Sequence, residues 1–487
     1  MNILYVTSEV YPFSKTGGLA DISYSLPKGV SNHYSITVVT PFYKQIFKYF
    51  DHMTFLGEKE VLMFDHHSIV KFYEMHYEGV RFIFVQNMHF FERDNLYGYD
   101  DDAKRFTNFS YATLELISLL DKKPDIIHIN DWPTGIIPYL YHTHYVYKKG
   151  YENIKFLLTI HNLEYQGSFD YDVAKYFNSD FNYIYTHFGR VNFLKAGIAL
   201  SNKINTVSPN YKNEILTKEF GFTLDGILND RQNDLVGILN GIDSETFNPA
   251  KDKYIINYDI NDFEQGKFKN KKLIFDQYHL SDPNYPLVSY IGRYANQKGL
   301  WMIRESIEDV INHTNARFFF LGSGDKSYEI FFKYLTDKYP QRVANFIGYN
   351  EVLAHQIYAA SDLFMMPSEF EPCGLGQMIA MTYGTLPIVR ETGGLKDTVI
   401  PYNQYTEKGT GFSFSNKSSY ELKDRLYEAI YLYQSKPATF KKLIEQAMKK
   451  DFSNQRMTQN YMDLYKTLLW KQGVSKYGNI STNISWG

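Results

Sequence analysis

The feature that most constrains the fold of this chain is a series of short, almost wholly apolar segments that alternate with helical stretches. Examples are PDIIHIND at 124–131 and KFLLTIHN at 155–162, in which polar residues do not alternate with apolar ones. Strands of this kind belong to parallel sheets whose two faces are both covered by helices. The pattern therefore predicts an α/β fold with parallel sheets.

The series runs twice along the chain. A charged, Asn-rich and Lys-rich passage at 250–284 interrupts it, and it begins again at PLVSYIGRY, 286–294. At 487 residues the chain is also too long for one core, since a domain averages roughly 150 residues. We predict two Rossmann-like, doubly wound parallel-sheet domains that face each other across a cleft. The predicted parts are residues 1–246, residues 247–455, and a last segment, 456–487, with a helix and a polar tail that returns to the N-terminal domain.

Composition excludes several classes of partner. The net charge is −3 and the basic residues are spread along the chain, so we expect no nucleic-acid partner, and any anion site must be local. No apolar stretch approaches the roughly 20 residues that span a membrane, and the N-terminus lacks the pattern of a secretory signal. The single cysteine, Cys373, fits a reducing compartment. We expect a cytoplasmic protein.

Two nearly identical glycine-rich turns stand at opposite ends of the chain, TGGLAD at 16–21 and TGGLKD at 392–397. Each follows a predicted strand and opens a helix. In the first, Lys15 adds a positive charge to the exposed N–H groups of Gly17 and Gly18, which predicts a phosphate site rather than a plain turn. The second turn carries Glu391 in place of the lysine. It either lines the cleft or only closes the fold.

Two basic residues follow the first strand of the second series. Arg293 and Lys298 lie in the loop GRYANQKG, where both can reach one diphosphate. A pair of unrelated surface cations is the alternative.

The segment SEFEPCGLGQ, at 368–377, places a carboxylate beside the start of a helix. Glu371 is suited to hold sugar hydroxyls or a developing cation, while N–H groups of the following turn, at Gly374 and Leu375, hold phosphate. A plain helix cap is the alternative role of Glu371. Cys373 between them is expected to pack as a small apolar residue.

Polar side chains end three further strands. Asp131 ends one strand, His161 and Asn162 end the next, and Asn240 follows a later one, which is the weakest case. Ligands bind at the carboxyl ends of parallel strands, so these positions favour a binding role over a structural one.

Two other signals are weak. Asp100 and Asp102 form a D-x-D pattern, but they directly precede a helix, where acidic residues are favoured without any metal. Gly322 and Gly324 begin a dinucleotide fingerprint that fails at Ser327, which argues against a nicotinamide enzyme.

Taken in order, these motifs resemble the bacterial glycogen synthases and plant starch synthases, a family of retaining glucosyltransferases with the two-domain GT-B fold. The resemblance covers nearly the whole chain. It is carried by TSEVYPFSKTGGLADI at 7–22, HNLEYQG at 161–167, GILNGIDSETFNP at 237–249, GRYANQKGL at 292–300, EPCGLGQ at 371–377 and YGTLPIVRETGGLKDTV at 383–399. The chain departs from the usual family pattern at Pro133-Thr134 and Phe247, on the acceptor side.

The resemblance implies roles for individual residues. The implied catalytic residues are His161, Glu371, Asp131 and Lys15; the donor diphosphate would be bound by Lys15, Gly17, Gly18, Arg293, Lys298, Gly374 and Leu375; the donor glucose and acceptor would lie near Asp21, Asn162, Asn240 and Cys373; and Tyr349 would pack on the nucleobase.

The resemblance also implies a reaction. Glucose would pass from ADP-glucose to the non-reducing end of an α-1,4-glucan such as glycogen, with retention of configuration and without a metal or other cofactor. We favour a same-face displacement, in which the departing phosphate takes the acceptor's proton, over a covalent intermediate on Glu371 or Asp131. The alternatives are another GT-B transferase that uses UDP-glucose or a different acceptor, and a non-catalytic glucan-binding protein.

Overall fold

The computed structural model describes residues 1–64, 66–177 and 183–469. They form two α/β domains, each built around one large sheet whose strands are covered by helices on both faces. The polar end of the predicted last segment, 470–487, lies outside the described residues.

The N-terminal domain contains, in its described part, a nine-stranded sheet and a small three-stranded sheet. The apolar runs form its central strands, because helices bury both faces of a strand at those positions. The strands are β1 (Asn2–Val6), β2 (Ser35–Pro41), β3 (Thr54–Met63), β4 (His66–Tyr77), β5 (Val80–Gln86), β6 (Ile126–Asn130), β7 (Lys155–Ile160), β8 (Ser168–Phe169), β9 (Thr186–His187), β10 (Arg190–Asn192), β11 (Lys203–Thr206) and β12 (Leu235–Gly237).

The order of the large sheet is β12-β11-β7-β6-β1-β2-β5-β4-β3, and the strands from β12 to β5 are parallel. The other edge adds two strands to the predicted parallel sheet: β3 and β4 form an antiparallel hairpin beside β5. Burial alternates along much of both strands, so one face is buried and the other is exposed. Such alternation is typical of antiparallel strands with one face in water.

Eight α-helices of the described N-terminal residues cover this sheet and frame its carboxyl edge. They are α1 (Gly18–Ser31), α2 (Met88–Phe91), α3 (Asp102–Leu116), α4 (Asp131–Thr134), α5 (Ile137–Leu140), α6 (Phe193–Leu200), α7 (Pro209–Glu214) and α8 (Asp225–Asp230).

The C-terminal domain has, within the described residues, a six-stranded and wholly parallel sheet. Its order is β15-β14-β13-β16-β17-β18, with a change of direction beside β13 that opens a crevice at the carboxyl edge. The strands are β13 (Leu287–Ile291), β14 (Arg317–Gly322), β15 (Val343–Ile347), β16 (Leu363–Met366), β17 (Leu386–Arg390) and β18 (Phe412–Phe414). The helices are α9 (Phe263–Gln277), α10 (Leu300–His313), α11 (Lys326–Lys338), α12 (Glu351–Ala360), α13 (Gly376–Thr382), α14 (Gly393–Thr398), α15 (Ser419–Ser435) and α16 (Pro437–Met448).

The last described helix, α17 (Asn454–Leu469), packs against α1 of the N-terminal domain. The approach is close, because a Cβ atom built on Gly29 of α1 would lie 2.2 Å from the hydroxyl oxygen of Thr458. The Tyr465 hydroxyl also lies 2.7 Å from Nδ1 of His128 on β6. The chain therefore crosses between the domains twice. The two crossings lie side by side, where Ile242 of the first and Ser453 of the second form a β-bridge. No helix in the described ranges is long and apolar enough to cross a membrane.

Candidate active site

The first glycine-rich turn is held by a buried carboxylate. Glu9, only 4% exposed, accepts hydrogen bonds from the N–H groups of Thr16 (2.5 Å) and Gly17 (3.3 Å). Burial raises the pKa of Glu9, and these hydrogen bonds oppose the rise. Gly18, the first residue of α1, is open: no described residue lies within 4 Å of a Cβ atom built there. The turn is thus fixed from inside by Glu9 and leaves room for a ligand at Gly18.

Lys15 and Asp21 face solvent at this turn. The Lys15 ammonium nitrogen lies 2.7 and 2.8 Å from the two Asp21 carboxylate oxygens, and both side chains are about half exposed. Tyr349, which follows β15 in the other domain, lies within electrostatic range of both groups and is largely exposed. The two domains therefore face each other here. Lys15, which is predicted to bind phosphate, lies on one side, and Tyr349, which is predicted to stack on the nucleobase, lies on the other.

Asp131 and His161 meet at the carboxyl ends of β6 and β7. The Asp131 carboxylate accepts hydrogen bonds from the N–H groups of His161 (2.7 Å) and Asn162 (3.5 Å). Asp131 has a φ of +54°, a strained conformation that Asp tolerates better than most residues. Burial raises the pKa of Asp131 to about 7, and the nearby charge of Glu9 adds to the rise.

The His161 imidazole is neutral. Burial lowers the pKa of His161 to about 3, since an imidazolium would be poorly solvated there. The ring Nε2 lies 3.0 Å from Oδ1 of Asn130, the last residue of β6. The sequence reasoning missed Asn130, although its position next to Asp131 at a strand end was a usable signal.

Lys298 and Glu371 form an ion pair in the C-terminal domain. Lys298 ends the short 3₁₀ turn Asn296–Lys298 after β13, and its Nζ lies 2.7 Å from Oε2 of Glu371. The Ser368 hydroxyl donates to the same oxygen at 2.9 Å. Arg293 lies in the same loop, exposed, and its guanidinium has no hydrogen-bond or carboxylate partner within the described ranges. Of the two residues predicted to bind the diphosphate, Lys298 is thus paired with Glu371, and Arg293 is unpaired within the described residues.

The second glycine-rich turn closes the fold around the Glu371 loop. Gly393 has a φ of +44°, and a Cβ atom there would lie 1.9 Å from the Glu371 carbonyl oxygen. The N–H of Gly394 donates to that oxygen at 3.2 Å. A Cβ atom on Gly394 would lie 2.0 Å from the Cys373 carbonyl oxygen, so both glycines are required for the turn to pack on this loop. Gly374 (φ +73°) and Leu375 lead from this loop into α13.

A carboxylate from the N-terminal domain binds this second turn. Glu214, at the end of α7, accepts hydrogen bonds from the Gly393 N–H (2.9 Å) and the Thr392 hydroxyl (3.1 Å). The Ser208 hydroxyl, which caps the start of α7, donates to the Pro372 carbonyl at 2.7 Å. Each glycine-rich turn is therefore bonded to a glutamate, and the second of these bonds joins the domains. Nothing in the sequence points to Glu214, which lies 178 residues before its partner Thr392.

Asn240 and Cys373 also meet across the domain boundary. A backbone hydrogen bond from Asn240 reaches the Cys373 thiol, and burial raises the pKa of that thiol to about 12. Cys373 is consequently protonated and buried, as expected for a packing residue. The D-x-D carboxylate of Asp102 pairs with Arg105 inside α3. In the described ranges, no group of three or more His, Cys, Asp and Glu side chains is placed to hold a metal ion.

Together these loops provide the groups needed to break a bond between a sugar and a diphosphate. Cations and helix N–H groups stabilise the negative charge that develops on a leaving phosphate. Carboxylates and a neutral imidazole accept and orient hydroxyl groups without adding positive charge.

Comparisons with known proteins match nearly the whole chain. A family model described as starch synthase catalytic domain matches residues 2–230, and one described as glycosyl transferases group 1 matches residues 271–460. Glycogen synthase from Acholeplasma laidlawii (strain PG-8A) is 56% identical over 475 residues, covering 96% of this chain and 99% of that protein. Glycogen synthase from Clostridioides difficile (strain 630) is 43% identical over 489 residues, covering 96% and 100%. The catalytic domain of starch synthase IV from Arabidopsis thaliana, bound to ADP and acarbose, has a TM-score of 0.86 at 33% identity, covering 96% of this chain and 99% of that one.

Proposed function

We propose specific substrates and residue roles for this chain, which belongs to the glycogen synthase and starch synthase family of glycosyltransferases and has the GT-B fold. The donor is ADP-glucose, the acceptor is the non-reducing end of an α-1,4-glucan, and the configuration at the transferred carbon is retained. ADP and acarbose are bound by the related starch synthase IV, which supports a nucleotide diphosphate and a glucan as ligands here. A cytoplasmic site of action is part of the proposal, since the one cysteine is a free, buried thiol.

The diphosphate is bound by Arg293 and Lys298 together with the N–H groups at Gly374 and Leu375. The observation that carries this assignment is the exposed Arg293 guanidinium, without a partner in the described residues, in the same short loop as the Lys298–Glu371 pair. A guanidinium binds two phosphate oxygens at once, and an ammonium adds a point charge. Lys15 faces the diphosphate from the other domain, at the open Gly18 turn. These groups act most strongly when the leaving oxygen gains charge, so they accelerate the chemical step.

The transferred glucose lies between Glu371 and the strand ends that carry Asp131 and His161. Glu371 is held by Lys298 and Ser368 and has remaining capacity to accept sugar hydroxyl groups. Asp131 fixes the backbone at His161 and Asn162, and the neutral His161 ring presents an acceptor without placing a positive charge beside a cationic transition state. Asp21 and Asn240 belong to the sugar and acceptor region, and Tyr349 packs on the adenine.

Transfer proceeds on one face of the sugar. The acceptor 4-hydroxyl bonds to C1 as the bond from C1 to the diphosphate oxygen breaks, and the hydroxyl proton passes to the departing phosphate. Retention then needs no enzyme nucleophile. Recovery of a glucosyl-enzyme on Glu371 or Asp131 would contradict this route and favour double displacement.

The donor is tested by transfer from labelled nucleotide sugars to glycogen. Purified protein is incubated with radiolabelled ADP-glucose or UDP-glucose, with and without glycogen, before and after treatment with a chelator. We expect incorporation from ADP-glucose that is unaffected by the chelator. Incorporation from UDP-glucose alone would overturn the donor, loss of activity after chelation would overturn the metal-free proposal, and glycogen binding without turnover would favour a non-catalytic protein.

A further inference from the structure

We propose that Asn130 is a positioning residue that selects one tautomer of His161, with the proton on Nε2, and holds the ring in the donor site. This inference rests on the proposed function in one respect, the location of His161 beside the transferred sugar. The hydrogen bonds that support it are independent of any ligand.

The direction of the Asn130 amide is fixed by its surroundings. The side chain is fully buried, and its Nδ2 donates to the Val6 carbonyl at 3.0 Å. Its Oδ1 accepts from the Tyr5 hydroxyl at 3.1 Å and lies 3.0 Å from Nε2 of His161. The reversed amide would set its carbonyl against the Val6 carbonyl, leaving both without a donor. Oδ1 therefore faces His161.

An amide oxygen only accepts hydrogen bonds, so the His161 nitrogen opposite it must carry a proton. Because the ring is neutral, its other nitrogen, Nδ1, is then an acceptor. Asn130 thus leaves Nδ1 of His161 ready to accept a hydrogen bond from a hydroxyl group. This is the relation in which a second residue sets the tautomer and orientation of a functional histidine.

The neighbouring residue holds the backbone of the same histidine. Asp131 accepts from the His161 N–H at 2.7 Å, while Asn130 binds the ring. The strained φ of Asp131 allows this carboxylate to turn towards β7 directly after the strand ends. Consecutive residues at the end of β6 therefore fix both parts of His161.

The other titratable groups around His161 come from three elements. The Tyr5 hydroxyl, on β1, donates to Asn130. The charge of Glu9, after β1, raises the pKa of Asp131, and His161 contributes to the lowered pKa of His128 on β6. Burial lowers the pKa of His128, whose ring nitrogens lie within hydrogen-bond distance of the hydroxyls of Tyr465 and Thr159. Apart from the backbone contact of Asp131, no carboxylate in the described residues binds His161. A new carboxylate at position 130 would be the first to face the ring.

The substitution Asn130→Asp tests the proposal, because it keeps an acceptor oxygen and adds a charge. An adjacent carboxylate raises the pKa of a histidine by about 1 to 3 units. We expect the His161 resonance of histidine-labelled protein, assigned with His161→Gln, to titrate at least about one pH unit higher than in the wild type. With a wild-type pKa of about 3, the variant's His161 pKa should lie at about 4 to 6, so kcat relative to wild type should be about halved where the pH equals that pKa, as the imidazolium forms. The new carboxylate also raises the pKa of the adjacent Asp131, so the His161 resonance, which reports on the ring directly, is the primary measurement.

Tyr5→Phe is the matched control, since it removes one donor to Asn130 and leaves the acceptor for His161. Its pH profile and His161 resonance should follow the wild type. If Asn130→Asp does not fold, Asn130→Ser removes the acceptor instead, and nitrogen shifts of His161 should then show a mixture of tautomers. Unchanged His161 shifts and an unchanged pH profile in folded Asn130 variants would overturn the inference. Absence of glucosyl transfer by the wild type would instead overturn the proposed function, because the resonance test needs no activity.

Discussion

Replacing Lys298 by methionine removes an ammonium group that pairs with Glu371 and, in our proposal, binds the donor diphosphate. The Lys298 and Glu371 side chains are only 19% and 10% exposed, and their charged atoms are 2.7 Å apart. Removing one partner of a buried pair costs about 3 to 5 kcal/mol, because the other charge stays buried. Ser368 still donates to Glu371 at 2.9 Å, so we expect a loss near the lower figure.

The double variant Lys298→Met/Glu371→Gln separates stability from catalysis. It leaves no buried charge unpaired, so its free energy of unfolding should return to within about 1 kcal/mol of wild type. Its activity should not return, because it lacks the ammonium that stabilises transition-state charge, a loss of about 10² to 10³ in kcat, and also the carboxylate proposed to bind the sugar. Urea unfolding followed by circular dichroism measures the first quantity, and initial rates of transfer from ADP-glucose to glycogen measure the second.

Lys326→Met is the matched control. Lys326 pairs with Glu329 at 2.6 Å, but its side chain is 83% exposed on α11. An exposed pair contributes about 0 to 1 kcal/mol, so both stability and activity should stay near wild type. Recovery of activity together with stability in the double variant would refute our reasoning, since the defect of Lys298→Met would then be structural.

Three further predictions concern single groups of the site. Arg293→Ala should lower kcat/KM for ADP-glucose at least about tenfold, because the guanidinium is proposed to bind the diphosphate. The urea midpoint should not change, because the guanidinium has no partner in the described residues. A loss of stability would contradict this prediction. Asp131→Asn should raise the melting temperature at pH 8 but not at pH 4. Burial raises the pKa of Asp131 to about 7, so the stability that the wild type has below pH 4 is lost as the pH rises through about 7. An amide does not titrate and has no such loss. Equal shifts at both pH values would contradict that sign. Iodoacetamide should leave the activity unchanged, because burial raises the pKa of the Cys373 thiol to about 12, whereas rapid inactivation would mean that the thiol is accessible.

The fold was predictable where a strand can be recognised from its own residues. The strands β6 and β7 are apolar along their whole length and buried on both faces, and this specifies a parallel sheet with helices on each side. The β3–β4 hairpin was not predicted, because polar and apolar residues do not alternate regularly along its two strands and only their burial does. Pairing at an edge depends on a neighbouring strand distant in sequence.

The sequence pointed to site residues where a polar or charged group ends a strand or lies in a glycine-rich turn. Arg293 and Lys298 are visible because a loop after a strand and a cluster of charge are local features. Glu9 and Glu214 were missed because their function depends on which N–H groups the fold brings opposite them, and in the sequence each looks like an ordinary glutamate. Asn130 has a local signal, its place beside Asp131 at a strand end, but its role follows from an amide direction set by Val6 and Tyr5.

The central claim is that the diphosphate of the donor binds at the loop of Arg293 and Lys298, facing Lys15 of the other domain. A crystal structure of the protein with ADP tests it most directly. We predict that the Arg293 guanidinium and the Lys298 ammonium lie within hydrogen-bond distance, about 2.7 to 3.2 Å, of diphosphate oxygens beside Gly374 and Leu375. A bound ADP whose phosphates contact neither Arg293 nor Lys298 would contradict the account.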